Sequence, residues 1–179
     1  MTYFREKFTL MHNFHFLTSS DDKHKIPAAM STLAGNQWGD SVGSVTDGSV
    51  NGAGAKCHTS NTNPYSLVIP YDCKLVRSAY SFMQFTTLVP FNFYWWKSDK
   101  DDEAKTSNTV WTLVDHKTCA GSGADINYAE DTWETGTVIH TSAVTFAAGD
   151  DFMFTTKRAS GSASKTVKGS ITHVFELLR

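Results

Sequence analysis

Phe8, Leu10, His12, Phe14 and Phe16 alternate with Thr9, Met11, Asn13, His15 and Leu17 near the start of the chain. A period of two over this length predicts an extended strand, because successive side chains leave opposite faces of a pleated backbone. The second face is not cleanly polar, so the strand is expected to pack between layers or against another chain. Residues 19–23, rich in Ser and Asp, then break the pattern, and Ile26 before Pro27 is restricted to an extended or turn conformation.

The steadiest pattern surrounds residues 65–77. Leu67, Val68 and Ile69 form a short β-prone run, and Pro70, Tyr71, Asp72 and Cys73 supply a turn. A second run leaves at once from Leu75 to Met83. Proline presets φ at an early turn position and Asp bonds its own backbone two residues on. The expectation is a strand, a tight corner and a strand. Residues 144–154 repeat that logic around Gly149 and Asp150, with Phe152 and Phe154 facing one way. Further strands are expected at residues 91–96, 110–114, 133–139 and 171–177, with loops at 98–103, 118–124 and 159–164. Trp95 should join Phe91 and Phe93 in the core, leaving Tyr94 and Trp96 on the opposite face.

Residues 35–64 break this regularity. Gly35, Gly39, Gly43, Gly48, Gly52 and Gly54 are interleaved with Ser, Asn, Asp and Thr, and Trp38 is the single large anchor. Compact domains seldom hold a structureless loop longer than ~12–15 residues, so one weak strand near Ser41 to Val45 is expected inside a long excursion. About eight short strands separated by turn signals, with no helical period, read as an all-β sandwich or jelly roll. The chain is expected to form a single antiparallel β-sandwich domain over residues 1–179. Its parts would be an extended N-terminal strand or arm over 1–34, the Gly/Ser-rich excursion over 35–64 and the sandwich core over 65–179.

Composition fits this reading. Apolar residues make up 40% and aromatics 13% of the chain, a mixture that suits half-buried pleated surfaces. A net charge of -2 gives no basic excess for tracking phosphates, so neither nucleic acid nor an anionic membrane is expected as a partner. Three widely spaced cysteines, Cys57, Cys73 and Cys119, are odd in number and do not suggest a disulfide scaffold. No apolar run approaches the ~20 residues that a bilayer demands, and the first residues lack the apolar stretch of a cleaved leader. Synthesis in a cytoplasm is the expectation.

Candidate chemistry is thin. Asp99, Asp101, Asp102 and Glu103 place carboxylates where they could wrap a hard cation, but Ala104 stands where an EF-hand loop needs glycine. A solvated hairpin tip is the simpler reading. Cys57, His58, Cys73, His116 and Cys119 contain only one pair at zinc-ligand spacing, whereas structural sites show two. Walker and dinucleotide motifs are missing. The loose acids Asp72, Asp115, Glu130 and Asp150 remain as residues to watch, each read first as a turn residue. No catalytic residue, cofactor or metal is assigned, and the chain is read as non-enzymatic. Tyr94 and Trp96 could stack sugars if exposed; a second buried face or a subunit interface is the blander account.

Three pieces together carry a resemblance. Residues 65–77 resemble the stretch of strand, proline, aromatic and Asp-Gly-Lys-Leu that recurs in small β-sandwich structural proteins of tailed bacteriophages. Cys73 stands where that pattern usually has glycine. Phe146 to Phe152 is similar to their turn of Ala-Gly-Asp between apolar residues, and His12 to Phe16 followed by Pro27 to their opening strand. The resemblance implies a jelly-roll virion protein, made in the host cytoplasm and usually trimeric. It would be either a capsid decoration (cement) protein or a tail-fibre head module recognising host surface glycan. Because the chain starts directly with its first strand, the decoration role on the capsid surface is the expectation. Its partners would be the major capsid protein and further copies of itself as a homotrimer. Phe8, Leu10, Phe14, Phe16, Trp38 and Trp96 are then the candidate assembly-interface residues, and deleting residues 1–17 is expected to abolish capsid binding.

Overall fold

The structure is a computed structural model and describes residues 6–17, 24–25, 41–42, 56–59, 67–85, 88–98, 109–159 and 165–178. Among these residues there is no helix. The strands are β1 (Lys7–Leu17), β2 (His24–Lys25), β3 (Ser41–Val42), β4 (Lys56–Thr59), β5 (Leu67–Val68), β6 (Cys73–Gln84) and β7 (Phe91–Ser98). They continue as β8 (Thr109–Ala120), β9 (Ile126–Asn127), β10 (Glu134–Ile139), β11 (Thr145–Phe146), β12 (Asp151–Arg158) and β13 (Thr166–Leu177).

Two sheets form a sandwich-like arrangement. The first has the order β1-β13-β6-β10, with β11 also paired to β6; the second has the order β3-β2-β12-β7-β8-β4, with β5 on β12 and β9 on β8. Among the described pairs every ladder is antiparallel except β8 with β9. The long strands therefore switch sheets repeatedly along the chain, which places distant residues face to face in the interior.

The alternation expected in β1 is present: His12 and Phe14 are buried, Phe8 and Leu10 half-buried, and Lys7, Thr9, Met11 and Asn13 exposed. β1 pairs with β13 along its whole length, from Lys7 opposite Glu176 to Leu17 opposite Thr166. Residues 7–17 are thus an edge strand of the first sheet and contribute Phe14 to its core. A deletion of residues 1–17 would remove that strand along with any docking segment, so it cannot isolate an arm. Of the excursion, β3 and β4 are described; the remainder, Trp38 included, lies outside the described residues, as do Asp99 to Glu103. The loop expected from Thr118 begins later, because β8 continues through Ala120 and is held there by β7 and β9.

Between the sheets lies an aromatic interior of Phe14, Phe82, Phe91, Phe93, Trp95, Phe146, Phe152, Phe154 and Phe175. Its rings meet mostly edge to face, as for Phe82 and Phe93 at 5.7 Å and Phe152 and Phe175 at 5.2 Å. Gly169 makes this packing fit. A Cβ there would strike the Ser81 carbonyl and lie 2.7 Å from the Phe82 Cα, atoms of backbone that cannot swing away. Gly169→Ala is therefore expected to cost about 2–3 kcal/mol, read as a lower urea midpoint with unchanged slope.

The two sequence-matched corners turn out to be one structural unit. β5 belongs to the second sheet and β6 to the first, so residues 69–72 cross between sheets and do not close a hairpin; residues 147–150 cross the opposite way from β11 to β12. The crossings run side by side. Ile69 N donates to Asp150 O at 2.7 Å, and Gly149 N to Ile69 O at 2.8 Å. Ala148 N donates to Asp72 Oδ1 at 2.8 Å, and Ala147 N to Asp150 Oδ2 at 2.7 Å. Gly149 has φ 95°, which only glycine adopts without strain. Cys73 fills the core beneath the corner. Burial, with Asp72 and Asp150 nearby, pushes its thiol up to about 12, so it is inert at neutral pH.

Candidate functional site

Strand alternation aims several polar side chains into this aromatic interior. His12 on β1 and His173 on β13 share the inward face with Phe14 and Phe175, and Ser78 on β6 does the same. Two irregularities add the rest. On β8, Trp95 lies opposite Asp115 and Trp96 opposite Leu113, so Val114 is an extra residue and the strand bulges. On β6, Val174 lies opposite Arg77 and Phe175 opposite Leu75, leaving Val76 extra just before Ser78. Bulges re-aim side chains; here Val114 joins the core while Asp115 turns toward His140, which follows β10. The His140 backbone is tied to the second bulge, its N donating to Val76 O at 3.0 Å.

The result is a continuous polar chain through the sandwich. His12 Nδ1 lies 3.1 Å from His173 Nε2. His173 Nδ1 lies 2.9 Å from Ser78 Oγ and accepts from Trp95 Nε1 at 3.1 Å. Ser78 Oγ lies 2.9 Å from His140 Nε2, and His140 Nδ1 lies 2.7 Å from Asp115 Oδ2. Asp115 Oδ1 accepts from the His116 backbone N at 2.8 Å and from Lys117 Nζ at 3.2 Å.

Donor counting fixes much of the proton arrangement. An indole nitrogen only donates, so His173 Nδ1 is bare and its proton sits on Nε2, donating to His12 Nδ1. The proton of His12 is then on its own Nε2. Ser78 has one proton and two imidazole neighbours. That proton can serve only one of the two rings at a time.

Electrostatics agree with the acidic end. Burial alone would raise Asp115, but the hydrogen bond from His140 and the Lys117 cation outweigh it and hold the carboxyl below its ordinary value. Burial lowers His12 to about 4, and it holds His173 well below its ordinary value, with His12 and His140 adding to the effect.

Ser78, His140 and Asp115 thus stand in the order and at the spacing of a nucleophile, base and orienting acid. Ser78 is fully buried, however, and wedged between two imidazoles.

The other sequence candidates fall elsewhere. Phe8 is half-buried and stacks on Phe175 at 5.0 Å; Leu10 is half-buried against the core. Phe14 and Trp96 are buried within the chain itself, and the Phe16 side chain lies outside the described residues. Trp96 donates to Thr155 Oγ1 at 2.8 Å and stacks on Tyr94 at 5.8 Å, both on the outer side of the second sheet and both buried. They do not form an exposed sugar-stacking platform. Of the loose acids, Asp72 and Asp150 hold the paired corners, Asp150 also reaching Lys97 Nζ at 3.1 Å. Glu130 is exposed before β10. Cys119 points into the core while His116 stacks on Tyr94 outside it, so the two do not converge on a metal. Among the described residues no group of three His, Cys, Asp or Glu side chains is placed to hold one.

Histidines on apolar strand faces were the available signal for this site, since His12 and His173 both fall in period with phenylalanines. Ser78 and His140 carried none. Asp115 was legible only as a loose acid. No protein-family model matches the chain, and no curated protein matches it.

Proposed function

We propose that this chain is a non-enzymatic structural protein of a virion, a jelly-roll decoration protein that binds a capsid shell as an oligomer. The strand orders β1-β13-β6-β10 and β2-β12-β7-β8 support the jelly-roll reading, since each is a run of four neighbouring strands within its sheet and the chain crosses repeatedly between the two. The observation that carries self-association is the outer face of the first sheet. Register places Thr9, Met11 and Asn13 beside Val174, Thr172 and Ser170. These in turn lie beside Arg77, Ala79 and Ser81, with Ile139, Thr137 and Thr135 beyond. Arg77 is the one charged side chain in that field. Met11 and Ile139, on the two outermost strands of that field, are 62% and 63% exposed.

Depletion of charge at the centre of a patch is a mark of protein interfaces. Size-exclusion chromatography with light scattering is expected to give three chains per particle for the wild type and one for a Met11→Lys, Ile139→Lys variant of unchanged circular dichroism. A monomeric wild type would remove the self-association. Purified virions should contain the chain at shell stoichiometry; tail stoichiometry would move it to a fibre head.

A serine hydrolase is the second reading with an observation behind it, the spacing of Ser78, His140 and Asp115. A fluorophosphonate probe is expected to leave Ser78 unlabelled in the folded protein, and labelling lost in Ser78→Ala would favour the hydrolase.

A further inference from the structure

β1 is held on one side only: among the described residues it pairs with β13 alone, whereas β13 is held by both β1 and β6. The hydrogen bond between His12 and His173 is a polar tie between the inward face of this edge strand and the rest of the fold. We propose that the His12–His173 pair is an acid-operated latch, fastening β1 to the sandwich at neutral pH and releasing it on acidification before the rest of the fold opens. This goes beyond the virion reading and holds for a monomer or an oligomer.

The proton count makes the latch single-valued. His173 Nε2 donates to His12 Nδ1, so a proton added to His12 sets two N–H groups against each other across 3.1 Å. Shifting the His173 proton to Nδ1 relieves that clash and turns it on the Trp95 indole N–H instead. No tautomer accepts the extra proton without losing a hydrogen bond. Among the described residues no counter-charge acts on either ring. Phe152 and Phe154 on β12 flank His12 at 6.2 and 6.1 Å and His173 at 4.9 and 5.3 Å. Ser78 comes from β6, Trp95 from β7 and His140 from the segment after β10. Asp115 and Lys117 on β8 face His140, on the far side of Ser78, and already pair there.

Burial also keeps both histidines neutral in the folded chain well below the pH at which an exposed imidazole charges. Opening of β1 exposes His12 to water, where it takes up a proton, so the open form gains over the closed one as pH falls.

Hydrogen exchange read by mass spectrometry at pH 7.5 and 5.0, with labelling times scaled for intrinsic rate, tests this on the full chain. Peptides from β1 are expected to lose protection at least tenfold at pH 5.0 while peptides from β7 and β12 keep theirs. His12→Asn, whose side-chain oxygen still accepts from His173, should keep β1 closed at pH 5.0. Equal protection of wild-type β1 at both pH values, simultaneous opening of β7, or the same acid response in His12→Asn would each overturn the latch. Should His12→Asn not fold, imidazole nitrogen shifts of the wild type decide: a cationic His12 or His173 in the closed protein at pH 6 sinks it, and neutral rings support it.

Discussion

His173→Ala is expected to destabilise the protein by about 4 kcal/mol, among the largest losses from any single side chain here. His173 is fully buried and packs between Phe152 and Phe154, so truncation opens a cavity in the densest part of the interior. It also strands polar groups that have no water to turn to. The Trp95 indole loses its acceptor, Ser78 one neighbour and His12 Nδ1 its donor. An unsatisfied buried donor costs about 1–3 kcal/mol, so the polar loss rivals the cavity. Urea unfolding followed by circular dichroism reads the total. A loss under about 1 kcal/mol would mean that the network is dispensable and that His173 acts only as filler.

The second large effect is on pH dependence. His12 is lowered from 6.5 to about 4 by burial, so the unfolded chain binds its proton first as pH falls. The stabilisation is fully present above about pH 6.5 and is lost as pH falls toward 4, amounting to about 3 kcal/mol for His12 alone. His173, lowered well below its ordinary value, adds to the loss in the same direction. Asp115 contributes only further down, because a carboxyl held below 3.8 loses its advantage as pH drops through that region. Stability measured by urea at pH 7.5, 6.0 and 4.5 should therefore fall steeply between the last two values. A flat profile over that range would show that both histidines already carry their protons in the folded state.

Much of the architecture was readable in the chain because strand faces are a local property. The period of two put Phe14 and His12 on the same side of β1, and the turn chemistry of Pro70, Asp72, Gly149 and Asp150 marked both corners. Trp95 lies in the core and Trp96 opposite to it for the same reason. What those corners connect was not readable. Residues 65–77 look like a hairpin in sequence, yet their two strands belong to different sheets, and the turn is finished by Asp150 and Gly149 from the other end of the chain. The candidate site was legible only in fragments. His12 and His173 lie 161 residues apart, and nothing local relates one strand face to another.

The sequence by itself determined that this is an all-β chain, which residues share a face along β1 and β7, and that two similar corners interrupt it. Only the tertiary structure decided that the corners bond to each other, and that bulges at Val114 and Val76 swing Asp115 and Ser78 into line with His140. It also decided between the two sequence readings of Trp96, which is buried. The physical reason is the range of the forces involved. Pleat and turn preferences act over two to four residues, whereas sheet order, bulge position and the pairing of buried polar groups are set by packing between strands far apart in the chain. A histidine on an apolar face is costly alone, and its meaning appears only when the partner that satisfies it is brought alongside.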